Sequence, residues 1–333
     1  MERFEALRIH ADGEQCTPVL ETLTEDDLSE GEVVVRVAYS SVNYKDALAA
    51  TGRMPIARRL PLVGGIDAAG TVVSSRDGRF REGDRVIATG AGMSETRDGG
   101  YAGLLRAPAE ATVAVPESLS LSEAAAIGTA GFTAALALER MESNGQRPDQ
   151  GPVLVTGATG GVGSFAIDLL SARDYEVVAL TGKSAAADYL TGLGAASVLD
   201  RHELSLGTRP LEHARWGGAV DSLGGDVLAW LTRTVRPWGS IASIGLVAGV
   251  ELHTTVLPFI LRGVSLLGIE SPTCPLALRE RTWERLGGDL RPRHLDRLVD
   301  RTVELAALPA VFGELLAGEL TGRVLVRVAG DSA

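Results

Sequence analysis

Four glycines fall within seven residues in Gly157-Ala-Thr-Gly160-Gly161-Val-Gly163, and Ser164 follows. The apolar run Val153 to Val155 comes before them. Phe165-Ala-Ile-Asp-Leu-Leu170 comes after, apolar at helical spacing. Strand, glycine turn, helix is the arrangement a dinucleotide-binding loop needs. Glycines let a pyrophosphate approach the main chain, and the helix start supplies unpaired N–H groups and partial positive charge. A glycine run alone also fills ordinary turns, so it is the flanks that give this one its reading.

About 20 residues past such a loop, an NAD site places an acid for the ribose 2′-OH. This chain has Thr181-Gly182-Lys183-Ser184 there, with no acid. A lysine and two hydroxyls suit a 2′-phosphate; the plainer alternative is a solvated turn. Asn43-Tyr44-Lys45-Asp46 follows a strand and gathers a phenol, an ammonium and a carboxylate. Tyr44 can donate to a developing oxyanion or contact a nicotinamide, or it can be structural. Lys45 and Asp46 can be an ordinary surface pair. Arg58-Arg59, and Arg281 with Arg285 one turn apart, can receive a phosphorylated substrate or form a solvated face. The five histidines, His10, His202, His213, His253 and His294, show no ligand spacing with one another or with Cys16 and Cys274, so no metal is expected.

The elements that must hold these groups divide the chain. Up to about Pro116 it reads as short strands, among them 32–38, 70–73 and 84–88, which suggests a small barrel. Ser120-Leu-Ser-Glu123 is a capping box opening a helix over 124–138. From Pro152 strands alternate with helices: 153–155, 175–180, 197–199, 219–223, 240–244 and 265–269. Six such strands match a doubly wound parallel sheet, an α/β fold with its ligand crevice at the strand C-termini. A charged helix around 279–286 and a strand at 322–328 end the chain, the strand expected to return to the first domain.

The 333 residues are enough for two domains. A net charge of −11 disfavours nucleic acid and anionic membranes. Two cysteines make no disulfide framework, and the charged Met1-Glu-Arg-Phe-Glu is no signal peptide. The uncharged stretch 124–138 is too short and too rich in Ala and Gly for a membrane span. A reduced, cytoplasmic protein is expected.

In order, Ser41-Val-Asn-Tyr-Lys-Asp46, Val63-Gly-Gly-Ile-Asp-Ala-Ala-Gly70, Gly83-Asp-Arg-Val86, Ala126-Ile-Gly-Thr-Ala-Gly-Phe-Thr-Ala134 and the glycine loop resemble the medium-chain dehydrogenase/reductase superfamily over nearly the whole chain. Its zinc members carry Gly-His-Glu where Gly65-Ile66-Asp67 stands here, so the resemblance is to the zinc-free, quinone-oxidoreductase-like branch. Thr181-Gly-Lys183, Ala219-Val-Asp221, Thr254 to Arg262 and Gly268-Ile-Glu-Ser271 are similar to bacterial NADPH-dependent acrylyl-CoA reductases. The resemblance implies a GroES-like β-rich catalytic domain (1–122 and 272–333) and a Rossmann cofactor domain (123–271). It implies NADPH as cofactor, an acyl-CoA thioester as substrate and a homodimer. It implies hydride addition to the β-carbon of acryloyl-CoA, giving propanoyl-CoA. Alternatives are a broader quinone or enone reductase and a cofactor-binding protein without turnover.

Carried over, the family's contacts put Tyr44 at the nicotinamide half and at the catalytic position. They put Gly161, Val162, Gly163 and Ser164 at the pyrophosphate, and Thr181, Gly182 and Lys183 at the 2′-phosphate. Leu246, Ile260 and Ser271 fall at the nicotinamide cleft. Ser197 falls where relatives have a further Arg of the 2′-phosphate site, and Gly318 where they often have Asn. Arg201 can compensate for the missing cation.

Overall fold

A computed structural model describes residues 2–13 and 15–329. The chain forms two compact units: Met1–Ala130 with Ser271–Gly288 and Val299–Ala333, and Gly131–Glu270 with Asp289–Leu298. In chain order the early elements are β1 (Arg3–Asp12), β2 (Gln15–Thr24), β3 (Val33–Ser41), α1 (Tyr44–Thr51), β4 (Leu62–Val63), β5 (Asp67–Ser75), β6 (Arg85–Thr89), β7 (Leu104–Ala107), β8 (Thr112–Ala114) and α2 (Leu121–Ser143). There follow β9 (Val153–Thr156), α3 (Gly161–Ser171), β10 (Val177–Thr181), α4 (Ala187–Gly192), β11 (Ser197–Asp200), β12 (Gly218–Asp221), α5 (Gly225–Thr234), β13 (Ser240–Ser243), α6 (Leu257–Arg262) and β14 (Ser265–Gly268). The last are α7 (Leu276–Leu286), α8 (Leu295–Leu298), β15 (Val299–Glu304), α9 (Leu308–Leu316) and β16 (Arg323–Arg327).

In the first unit β3 is the hub. Its valines alternate between two cores, because successive side chains of a strand point to opposite faces. Val33, Val35 and Val37 pack with Val72, Val86 and Leu105, while Val34 packs with Leu7, Ile9 and Phe312. β3 pairs antiparallel with β5, β7 and β16, so the final strand does return to this unit. The long sheet runs β15-β16-β3-β5-β6-β8, with a second sheet β2-β1-β4. The end strands β15 and β8 do not pair, but residues 101–103 join β1 to β3: the Leu7 N–H donates to the Tyr101 oxygen at 2.8 Å and the Val37 N–H to the Gly103 oxygen at 3.0 Å, so the expected small barrel is a partly open one. The β1–β2 hairpin, α1 and α9 have no counterpart in the sequence reading.

The 120–123 capping box forms, with the Ser120 N–H donating to Glu123 at 2.8 Å and the Glu123 N–H to Ser120 Oγ at 3.2 Å. α2 runs longer than expected and breaks at Gly128, whose φ of 43° and ψ of −151° are not helical. Among the described residues it is the one helix long and apolar enough to cross a membrane, but 83% of its apolar window is buried inside the protein.

The second unit holds a sheet in the order β11-β10-β9-β12-β13-β14, parallel throughout. This is the doubly wound order, and it reverses between β9 and β12. In folds of this order the ligand crevice lies at that reversal, at the strand C-termini. The glycine loop leaves β9 at that end.

Candidate functional site

The loop in the second unit is a cradle that side chains would fill. Gly157 adopts φ 60°, a left-handed conformation that favours glycine. A Cβ on Gly163 would lie 2.8 Å from the Ala158 Cα and closer still to the Gly157 carbonyl oxygen. The first bond of α3 runs from the Ser164 N–H to the Gly160 oxygen at 2.9 Å. The amides of Gly161, Val162 and Gly163 therefore precede the helical bonding and have no intrahelical acceptor. Ser164 is buried and donates its hydroxyl to the Ala158 oxygen at 3.2 Å. The three amides fit a pyrophosphate, while Ser164, with its N–H and its hydroxyl both engaged, fixes the loop that carries them.

The opposite wall of the reversal is fixed by Asp221, which composition gave no reason to single out. Its carboxylate accepts from Thr156 Oγ1 at 2.6 Å and from the Gly224 N–H at 2.8 Å. That ties the ends of β9 and β12 together, and burial pushes the Asp221 carboxyl up from its usual value. Its role is to hold the crevice.

Thr181 ends β10, and its Oγ1 accepts the Lys183 N–H at 3.0 Å. Burial lowers the Lys183 ammonium below its usual range. A Cβ on Gly182 would lie 3.1 Å from His202 Nε2 and 3.3 Å from Arg201 Nη2, so two more nitrogen-bearing heads converge there. Ser197 does not join them. It is paired with Val178, while Thr181 is paired with Asp200, so Ser197 sits three positions, about 10 Å, from that strand end. The cluster beyond β10 is Thr181, Gly182, Lys183, Arg201 and His202. Leu246 and Ile260 are exposed apolar side chains of this unit.

In the first unit, Asn43 caps α1 and Tyr44 is its first residue, 41% exposed. Asp46 is no surface partner of Lys45. It is buried, and one oxygen accepts from both the Asn43 N–H at 2.9 Å and Asn43 Nδ2 at 3.2 Å. The other accepts the Ile66 N–H at 3.0 Å. Lys45 pairs with Glu95 instead.

Asp67 is also fully buried. It accepts from Ser41 Oγ at 2.6 Å, Asn43 Nδ2 at 2.8 Å and both the N–H and hydroxyl of Thr129, at 2.9 and 2.6 Å. Arg323 Nη2 lies 3.5 Å from it. Sequence patterning gave Asp67 only as the neighbour of a missing ligand, and Arg323 as an ordinary strand residue. Ile66, standing in the histidine's place, is buried. Among the described residues no three of His, Cys, Asp and Glu converge to hold a metal ion. Ser271 belongs to this unit, and its carbonyl accepts from the buried Arg279 at 3.0 Å.

The cluster encloses two carboxylates and one guanidinium. Burial, and next the Asp67 charge, push the Asp46 carboxyl from 3.8 up to about 7, against the pull of its hydrogen bonds. Its folded-state value is raised, so between about pH 4 and 7 the folded chain keeps a proton that the unfolded chain has lost. Stability therefore falls as pH rises through that window, by about 1.4 kcal/mol per pH unit, and is level above it. Asp46→Asn removes the titration. Urea denaturation of the two proteins at pH 5 and pH 7.5 should show the wild type losing ground to the variant at the higher pH. An unchanged difference would exclude a protonated Asp46.

The doubly wound strand order, the cradle and the acid-free strand end mark a nicotinamide-dinucleotide oxidoreductase whose chain holds a Rossmann sheet and a β-rich unit. Residues 29–117 match the alcohol dehydrogenase GroES-like domain and residues 161–285 the zinc-binding dehydrogenase family. The chain belongs to the medium-chain dehydrogenase/reductase superfamily. It is 48% identical to YhfP of Bacillus subtilis, named as a quinone oxidoreductase, over 98% of this chain and 99% of that one. The crystal structure of yhfP with NAD bound matches with a TM-score of 0.95 at 47% identity, covering 98% and 100% of the two chains. The chain is 44% identical to the acrylyl-CoA reductase AcuI of Ruegeria pomeroyi, over 98% and 99%. The yhdH oxidoreductase of Salmonella enterica, solved with NADP, matches with a TM-score of 0.94 at 41% identity over 97% and 99%.

Proposed function

We propose that this protein is an NADPH-dependent reductase of α,β-unsaturated CoA thioesters, taking acryloyl-CoA to propanoyl-CoA. The observation that carries the cofactor choice is the end of β10, where no acid stands and Lys183 and Arg201 do. Likeness to an acrylyl-CoA reductase over almost the whole chain supports the substrate.

When bound, the reduced nicotinamide supplies a hydride for the substrate's β-carbon. The chain's own groups do the rest. The amides of Gly161, Val162 and Gly163 hold the pyrophosphate, and Ser164 holds their loop in shape. Thr181, Gly182 and Lys183 hold the 2′-phosphate, where charged hydrogen bonds act. Tyr44, Leu246, Ile260 and Ser271 are assigned to the nicotinamide half, with Tyr44 as the candidate catalytic group of the first unit. Charge that develops on the thioester oxygen needs oriented donors, and that chemistry requires no metal. The α-carbon then takes a proton. We assign catalysis to the first unit, cofactor binding to the second, and a homodimer to the working form.

Similarity to YhfP favours a second reading, a broader quinone or enone reductase. The deciding measurement is kcat/KM for acryloyl-CoA against simple quinones, with NADPH and with NADH. The proposal expects acryloyl-CoA with NADPH to lead. A quinone preferred over acryloyl-CoA would replace it with the second reading, and tight NADPH binding with no turnover of either would leave a binding protein.

A further inference from the structure

An open surface cavity of about 410 Å³ in the first unit is lined by Ser29, Glu30, Arg59, Thr96 and Arg97, of which Glu30, Arg59 and Thr96 are exposed. Its wall is well fixed. Buried Asp98 accepts from the N–H of Ser29 at 2.7 Å and from its hydroxyl at 2.5 Å, and its other oxygen accepts the Val63 N–H at 2.6 Å. The turn carrying Arg97 is closed by its N–H to the Gly92 oxygen at 3.2 Å and by the Ser94 N–H to its own oxygen at 2.9 Å. The Arg58 N–H donates to the Glu95 oxygen at 2.7 Å, holding Arg59 beside that turn.

Among the described residues, neither Arg59 nor Arg97 forms a hydrogen bond or ion pair with a carboxylate. Glu32 is within electrostatic reach of Arg97, and Glu30 shares the cavity. Arg59 and Arg97 thus bring two guanidiniums to one place on a chain of net charge −11. Guanidinium forks match phosphate oxygens, and a concave wall concentrates their field. The Ser29 and Thr96 hydroxyls and the Glu30 carboxylate add polar partners of the kind a ribose or a base amine uses. The combination suits a phosphorylated nucleoside better than a bare anion. The cavity also has a short connection to the candidate catalytic residue: Glu95, next to Thr96, pairs with Lys45, next to Tyr44.

We propose that this cavity binds the phosphorylated nucleotide end of the CoA thioester, which deepens, and rests on, the reading of the substrate above. The probe is adenosine 3′,5′-bisphosphate, titrated calorimetrically into enzyme saturated with NADP+ so that the cofactor's own nucleotide site is filled. Binding is expected. It should weaken about tenfold or more in Arg59→Ala/Arg97→Ala, and unphosphorylated adenosine should not bind. Unchanged NADP+ affinity in the variant checks its fold. In turnover the variant should raise KM for acryloyl-CoA about tenfold, with kcat within about twofold, and leave KM for acryloyl-pantetheine unchanged. No binding of the bisphosphate, or equal binding by both proteins, overturns the site. A wild type that binds it through these arginines yet reduces neither thioester supports the site and overturns the substrate reading instead.

Discussion

Arg323→Met is expected to lower the stability of the first unit by about 3–5 kcal/mol, the usual cost of removing one partner from a buried ion pair. Arg323 is 3% exposed and lies on β16. Nη1 donates to the Val42 oxygen at 2.8 Å and to Asn43 Oδ1 at 3.1 Å. Nη2 donates to Ser41 Oγ at 2.6 Å, and Nε to the Ala126 oxygen at 3.1 Å. One guanidinium thus joins the end of β3, the cap of α1 and the turn of α2 before Gly128. Methionine fills much of the volume but leaves those acceptors unmet and Asp67 without its countercharge. The double variant Arg323→Met/Asp67→Asn should recover part of the loss, because no buried carboxylate is then left unpaired. Arg323→Lys should not rescue fully, since a point charge cannot span the fork. Urea midpoints at constant m-value are the measurement. A loss below about 1 kcal/mol for Arg323→Met would show that the guanidinium is not an anchor.

Gly163→Val should weaken binding of the dinucleotide by about a hundredfold or more, a loss of roughly 3 kcal/mol. The added Cβ would meet the Gly157 oxygen and the Ala158 Cα, both backbone, and backbone cannot swing aside. The loop must open, and the amides of Gly161 to Gly163 then no longer converge. Gly160→Ala is the control. Its φ is −77°, and its Cβ would meet only the Gly157 oxygen at 3.3 Å, so binding should change little. The readout is the NADP+-induced rise in melting temperature, which reports the ratio of ligand concentration to Kd. Equal shifts for wild type and Gly163→Val would refute the cradle.

Much of this was legible in the sequence. The parallel sheet and its glycine loop were readable because their signals are local. A buried strand shows as an apolar run, a close backbone approach demands glycine, and a capping box repeats at a fixed spacing. The missing acid after β10 could be read for the same reason. Family resemblance added the identity of the first unit and most of the proposed contacts.

Tertiary structure decided what depends on pairing across the chain. Resemblance assigned Ser197 to the 2′-phosphate site, but the β10–β11 register sets it opposite Val178 and brings Arg201 and His202 to Gly182. Asp46 read as a surface charge because neighbours in sequence suggested Lys45, whereas burial made it a carboxyl raised to about 7. Asp67 and Arg323 lie 256 positions apart and carry no local pattern. Only folding the last strand beside β3 removes both from water, and a charge out of water must find its partner inside the protein.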